Sequence, residues 1–231
     1  MNVVDVLAIA AHPDDVEITC AGLLIRMADQ GYRTGVLDLT RGEMGTRGSA
    51  EIRDREAAAA AQIMGLAVRE NACLPDSRLT LNDASREALA GWIRRLRPKV
   101  VIVPSQGQRH PDHNAAGEIA YAGIFAAGLQ KFPVDGAAHR PDQVLYTVSG
   151  EQQTPSFYVD ITAQLERKLQ AVAAYESQFP KVQEGEDIYE LMTAAARCCG
   201  SRCGVRYAES YCVKQPVLVD DPIRQLRLKA V

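Results

Sequence analysis

The sequence has no long uncharged apolar stretch and no large excess of charge of either sign. Its 231 residues carry 26 lysines and arginines against 29 aspartates and glutamates, for a formal net charge of −3. A chain with this balance has no basic surface for nucleic acid or for an anionic membrane. Nothing in it approaches the ~18 consecutive apolar residues of a membrane span. We therefore expect neither a nucleic-acid partner nor a membrane partner.

The N-terminus also lacks the features of a secretory signal. No basic segment precedes the apolar run of residues 3–10, and Asp5 interrupts that run. Six cysteines are present, but a chain of this length without a signal does not depend on disulfides. Cys198, Cys199 and Cys203 cluster without the C-x-x-C spacing of a zinc knuckle, so we interpret them as small packing residues. We expect a cytoplasmic protein.

Predicted strands and helices alternate along the chain, without repeats or an obvious linker. Apolar runs such as 3–10 and 100–103 are typical of buried parallel strands. Helices are predicted over 16–30, 51–64 and from Ala115 onward, with a short strand near 71–74. This alternation predicts one α/β domain over residues 1–231, with a mostly parallel sheet and helices on both faces. The expected strand order is 3-2-1-4-5.

Two short motifs of histidine and aspartate follow two of these strands. His12-Pro13-Asp14-Asp15 comes after the first run, and His110-Pro111-Asp112-His113 comes after the fourth. Residues just beyond the carboxyl ends of parallel strands line the ligand crevice of such sheets. If strands 1 and 4 are neighbours, both motifs open into one pocket. The sequence therefore predicts one composite metal site.

The residue types suit a catalytic zinc ion, which keeps three protein ligands and an open position. His12, His113 and one of the two aspartates would supply the ligands, and the other aspartate would take a proton from the metal-bound water, whose pKa falls toward about 7. The spacing does not decide between Asp14 and Asp15. Taken alone, the first motif could be a turn in which an aspartate caps the next helix.

Two other function classes remain open at this point. Two histidines and a carboxylate in this order also match the facial triad of non-haem iron oxygenases, which usually lies in a β-barrel. A catalytically silent sugar-binding protein is the other alternative. Both aspartates and both histidines of the second motif are present, which argues against a silent protein because a binding module needs no base beside its metal.

The segment 11–17, together with 110–113, resembles the LmbE-like (PIG-L type) zinc-dependent N-acetylglucosaminide deacetylases. The loop 40–48 and the segments 53–56, 175–179 and 204–209 resemble the subgroup that deacetylates N-acetylglucosaminyl-malate in bacillithiol biosynthesis. This resemblance implies a three-layer Rossmann-like fold and a small-molecule sugar conjugate as substrate. Another N-acetylglucosaminide or a small amide is the alternative substrate, and the family further implies a homo-oligomer.

The resemblance also implies roles for residues of the two motifs. One Zn²⁺ per chain, with Fe²⁺ as the alternative native metal, would bind His12, Asp15 and His113. Asp14 would be the general base. His110 would stabilise or protonate the tetrahedral intermediate.

Substrate contacts are implied outside the metal ligands. Arg53 would hydrogen-bond the sugar, although its charged neighbours make a solvated ion-pair surface the default interpretation. Arg109 would bind the malate, and Glu43 and Asp112 complete the predicted contacts. Asp112 could instead orient a histidine or cap the following helix. Residues 198–203 depart from the subgroup, which usually carries bulkier side chains there.

Overall fold

The computed structural model describes residues 4–148, 153–179 and 187–225. Strands and helices alternate through most of this length, as the sequence predicted. The strands are β1 (Val6–Ala10), β2 (Thr34–Asp38), β3 (Val68–Asn71), β4 (Val100–Pro104), β5 (Gln143–Thr147), β6 (Phe157–Asp160) and β7 (Ala208–Val213). The helices are α1 (Asp15–Thr19), α2 (Ala21–Asp29), α3 (Ala50–Met64), α4 (Asp83–Leu96), α5 (Pro111–Ala127), α6 (Leu165–Ala173), α7 (Ile188–Cys203) and α8 (Pro222–Gln225).

All seven strands form one sheet in the order β3-β2-β1-β4-β5-β7-β6. The first five are parallel, which confirms the predicted 3-2-1-4-5 order. β7 pairs antiparallel with both β5 and β6 and extends the sheet beyond the five strands of that predicted order. Because β1 pairs directly with β4, the loops that follow these two strands leave the sheet side by side.

The core lies on both faces of this sheet, which gives the three layers. Leu7 and Ile9 of β1 pack on the face covered by α4 and α5, whereas Val6, Ala8 and Ala10 pack on the face covered by α1, α2 and α3. The alternation follows from the period of two along a strand. None of the helices in the described ranges is long and apolar enough to cross a membrane.

Three local predictions were wrong. The helix predicted over 16–30 is broken at Cys20 into α1 and α2. β3 lies at Val68–Asn71 instead of 71–74, because it is a half-exposed edge strand without the apolar run that marks a buried one. α5 begins at Pro111 instead of Ala115, since proline suits the first helical position and the His110 side chain accepts a hydrogen bond from the Asp112 amide.

The break at Cys20 depends on a carboxylate from the far end of the chain. Glu209 of β7 accepts hydrogen bonds from the backbone amides of Gly22 (2.9 Å) and Leu23 (2.8 Å) at the start of α2. Its oxygens also accept from Lys168 Nζ (2.6 Å) and from the Tyr211 hydroxyl (2.7 Å). A charged group at a helix N-terminus satisfies amides that have no partner within the helix. Glu209 therefore joins α2, α6 and β7.

We expect Glu209→Gln to destabilise the fold strongly. The substitution keeps the shape but places an amide donor against other donors and leaves the buried Lys168 without its counter-charge, a loss of about 3 kcal/mol or more. Denaturant titration measures the free energy of unfolding. The matched control is Glu166→Gln on the exposed side of α6, which should change it by less than about 0.5 kcal/mol. Equal effects of the two variants would contradict the role assigned to Glu209.

Candidate metal centre

His12, Asp15 and His113 converge where β1 and β4 end. Their ligand atoms all lie within 4.8 Å of one another. Asp15 lies between the two imidazoles: Nε2 of His113 is 3.1 Å from its Oδ1, and Nδ1 of His12 is 3.5 Å from its Oδ2. The structure thus brings together two histidines and a carboxylate from motifs that are distant in sequence.

These separations fit a small divalent cation. Zinc bonds of about 2.0–2.1 Å at tetrahedral angles place neighbouring ligand atoms about 3.3–3.4 Å apart. Each imidazole lies at about this distance from one oxygen of Asp15, 3.1 Å from Oδ1 for His113 and 3.5 Å from Oδ2 for His12. Two imidazoles and a carboxylate suit zinc, and also Fe²⁺. Three such ligands leave coordination positions for water and substrate.

The orientation of His12 is set by two buried carboxylates. Its Nε2 lies 3.1 Å from Asp76 Oδ1 and 3.3 Å from Asp112 Oδ2, so Nε2 is the donor and Nδ1 faces Asp15. Such carboxylate–histidine pairs fix the ring of a metal ligand. Burial by itself would lower the pKa of His12, but hydrogen bonds and charges from Asp15, Asp76 and Asp112 outweigh it and raise this pKa to about 9. The surroundings therefore favour a positive charge.

Asp76 was not among the predicted site residues. It follows β3, whose carboxyl end lies at the same edge of the sheet, so the strand-end argument used for the two motifs could have found it. The strand predicted at 71–74 also ends just before Asp76, so this signal was present in the sequence. Asp112 is buried and its Oδ2 also accepts a hydrogen bond from the Ser77 amide (2.8 Å), so this oxygen contacts both His12 and the backbone. This geometry favours the histidine-orienting alternative over a substrate contact.

Gln108 orients the second histidine. Its amide nitrogen donates to the Ser105 carbonyl (3.1 Å), so its oxygen faces Nδ1 of His113 at 3.0 Å. The ring therefore donates through Nδ1 and presents Nε2 to Asp15. No sequence pattern marks Gln108, because it lies in an irregular loop. Its role depends only on how that loop folds.

Asp14 occupies the N-cap of α1 in a strained backbone conformation, with φ 109°. A non-glycine residue in this region costs on the order of 1–3 kcal/mol. Burial and the charge of Asp15 raise the pKa of Asp14 well above its usual range, although the nearby Arg53 opposes this. A carboxylate whose pKa lies closer to neutral is a better base than an ordinary aspartate. Burial would also raise the pKa of Asp15, but hydrogen bonds from His113 and His12 lower it overall.

Arg53 holds this strained turn from α3. Its Nη2 donates to Asp14 Oδ2 (3.0 Å) and to the Pro13 carbonyl, and its Nη1 donates to the Gly42 carbonyl (3.2 Å). Arg53 is buried, so the solvated ion-pair interpretation is wrong for this residue. Gly42 has φ +66°, and a Cβ there would lie 2.0 Å from Arg53 Nη1, so only glycine fits. The predicted sugar contact of Arg53 stays a prediction.

Glu43 and His110 are tied to the site in different ways. Glu43 lies in the loop after β2, where its carboxylate accepts from the amides of Asp76 (2.9 Å) and Arg41 (3.2 Å). It therefore braces two loops of the site. The His110 ring stacks on His113, with centroids 4.9 Å apart, and meets His12 edge-on at 5.0 Å.

The Asp112 amide donates to Nδ1 of His110 (3.2 Å), so Nε2 is the nitrogen that can face a substrate. Partial burial and the imidazoles of His12 and His113 lower the pKa of His110. Arg109, next to it, is exposed. The positions of His110 and Arg109 suit their predicted contacts with the tetrahedral intermediate and with malate. Both contacts stay predictions.

Comparison with known proteins agrees with this geometry. The model of the PIG-L family (GlcNAc-PI de-N-acetylase) matches residues 7–124, which include both motifs. Diacetylchitobiose deacetylase of Thermococcus kodakarensis is 32% identical over 225 residues, covering 90% of this chain and 82% of that protein.

Solved structures give the same result. The conserved protein TT1542 from Thermus thermophilus superposes with a TM-score of 0.88 at 42% identity, covering 94% of this chain and 97% of that one. N,N'-diacetylchitobiose deacetylase from Pyrococcus horikoshii superposes with a TM-score of 0.80 at 27% identity, covering 90% of this chain and 83% of that one. The chain therefore belongs to the PIG-L family, as its two motifs indicated.

Proposed function

We propose that this protein is a metal-dependent hydrolase that removes the acetyl group from an N-acetylglucosamine conjugate, with N-acetylglucosaminyl-malate as the preferred candidate. Its family membership identifies it as an enzyme that acts on acetylated amides. The observation that carries the proposal is the convergence of His12, Asp15 and His113 beside the largely buried carboxylate of Asp14. Such an arrangement places a base next to a metal-ligand set that has open positions.

His12, Asp15 and His113 would hold one zinc or ferrous ion. When bound, this ion polarises the amide carbonyl and lowers the pKa of water. Asp14, fixed by Arg53, takes a proton as the oxygen of water bonds to the acetyl carbon. His110 stabilises the carbonyl oxygen of the acetyl group as this oxygen becomes negatively charged. The carbon–nitrogen bond then breaks, the amine nitrogen receives the proton, and acetate and the free amino sugar are released.

The choice of aglycone rests on the loop 40–48 and on Arg109. The subgroup resemblance of this loop points to malate, which carries two carboxylates. Arg109 is exposed and directly precedes His110, and a guanidinium can bind a carboxylate with two parallel hydrogen bonds. The archaeal relatives are named for diacetylchitobiose, a neutral sugar, so another N-acetylglucosaminide is the alternative. Malate and neutral aglycones differ in charge, which makes them separable by experiment.

The first prediction concerns the metal. We expect about one zinc or iron ion per chain in the purified protein, and His113→Ala should lose most of it while circular dichroism shows a retained fold. Elemental analysis measures both. The matched control is His139→Ala, because His139 lies outside both motifs and bonds the Pro98 carbonyl (2.7 Å); it should keep its metal. Full activity after exhaustive chelation would contradict the mechanism, and a requirement for oxygen would indicate the oxygenase.

The second prediction separates the two aspartates. Asp14→Asn should keep its metal while kcat falls by roughly 10² or more, because the base is lost. Asparagine tolerates positive φ, so the turn should persist. Asp15→Asn should weaken metal affinity first, since it removes an anionic ligand. Metal content and kcat are measured on both variants. Metal loss in Asp14→Asn alone would show that the two roles are reversed.

The third prediction concerns the substrate. Arg109→Ala should raise KM for N-acetylglucosaminyl-malate by roughly 10- to 150-fold, the effect of losing a charge-assisted contact, and should change KM for free N-acetylglucosamine far less. The measurement is kcat/KM for both substrates. Arg95→Ala is the control, because Arg95 is exposed near the end of α4, at the opposite edge of the sheet. Equal kcat/KM of the wild type for both substrates would indicate a general N-acetylglucosaminide deacetylase.

A further inference from the structure

A small cavity adjoins the candidate metal ligands. It has a volume of about 40 Å³, and Asp15 and His113 form part of its wall. Most of the remaining wall is apolar and comes from β1, from α1 and the adjoining Cys20, and from β4, while Thr19 and Gln108 add polar side chains. The apolar residues are Ile9, Ala10, Val16, Cys20, Ile102 and Pro104.

Most polar residues of the site lie on the other side of the metal ligands. Arg53 and the loop carrying Gly42 approach Asp14 from the side of β2. The cavity lies toward β4 and β5, where Thr147 at the end of β5 is a further part of its wall. Asp14, Arg53, Asp76 and His110 are not part of this wall as the described residues define it. The site therefore has one polar side and one side that is mainly apolar.

An N-acyl amino sugar has the same division of polarity. Its amide carbon carries a nitrogen attached to a hydroxyl-rich sugar and, opposite, an apolar alkyl group. When the carbonyl lies at the metal ligands, the sugar matches the polar side and the alkyl group matches the apolar cavity. We infer that this cavity is the acyl pocket of the enzyme and that its size selects short acyl groups. The inference rests on the proposed amide hydrolysis, but not on malate as the aglycone.

The volume sets the length that can enter. A single water occupies about 10–15 Å³ on this scale, so 40 Å³ holds about three groups of that size. The methyl of an acetyl group fits, and a tail of more than about three carbons does not. A pocket discriminates roughly 10- to 200-fold for each methylene that it cannot accept. An N-hexanoyl group, with five carbons beyond the carbonyl, should therefore be a poor substrate.

The test compares N-acetyl- and N-hexanoylglucosamine as substrates of the metal-loaded enzyme. In the wild type, kcat/KM for the hexanoyl compound should be at least roughly 10²-fold lower. Val16→Ala removes two carbons from the wall and should raise the hexanoyl-to-acetyl ratio by roughly 10-fold or more. Val36→Ala is the matched control, because Val36 is a buried valine of β2 in the same core cluster but outside the cavity wall. Ile102→Val enlarges the cavity from the side of β4. This variant replaces Val16→Ala in the test if Val16→Ala folds poorly.

A binding measurement separates this inference from the proposed reaction. Titration calorimetry of the metal-loaded protein with acetate and hexanoate requires no turnover. In the wild type, acetate should bind at least roughly 10-fold more tightly than hexanoate. In Val16→Ala this difference in affinity should be smaller. If no N-acyl sugar is hydrolysed but the preference for acetate holds, the proposed function fails and the pocket stands. Equal binding of the two carboxylates, or equal effects of Val16→Ala and Val36→Ala, would overturn the pocket.

Discussion

The pairing of β1 with β4 is the constraint on which the rest of the site depends. These strands lie in parallel register at the centre of the sheet, with Val6 opposite Val100 and Ala8 opposite Ile102. Their carboxyl ends therefore meet, and the two histidine motifs leave the sheet as neighbours. Any other order of strands would separate His12 from His113. The buried apolar side chains that hold this pairing thus also determine whether a metal-ligand set exists at all.

Negative charge is the second common feature of the site. Asp14, Asp15, Asp76 and Asp112 crowd around His12, and their charges are balanced by few cations. Arg53 approaches Asp14, while the rest of the compensation comes from hydrogen bonds and from the imidazoles. A divalent ion is well suited to such surroundings, since burying like charges together is otherwise costly. Burial and the charge of Asp15 raise the pKa of Asp14, which suits its predicted role as a base.

Much of this was predictable from the sequence, because the signals were local. Continuous apolar runs gave the central strands, and alternation with helices gave the parallel order. The two motifs identified His12 and His113, and the family resemblance added the distinction between Asp14 and Asp15. The prediction was wrong for less regular segments. β3 has no apolar run, so its position was wrong.

The sequence by itself determined the fold class, the family and the two motifs, since each depends on neighbours a few positions apart. Only the tertiary structure decided how the site is supported. Arg53 reaches Asp14 from α3, and Asp76 and Gln108 orient the two imidazoles from separate loops. The wall of the cavity combines residues of β1, α1, β4, α5 and β5. These contacts join side chains with no fixed spacing along the chain. Which side chains meet is determined by how the layers pack, and a local sequence pattern does not contain this information.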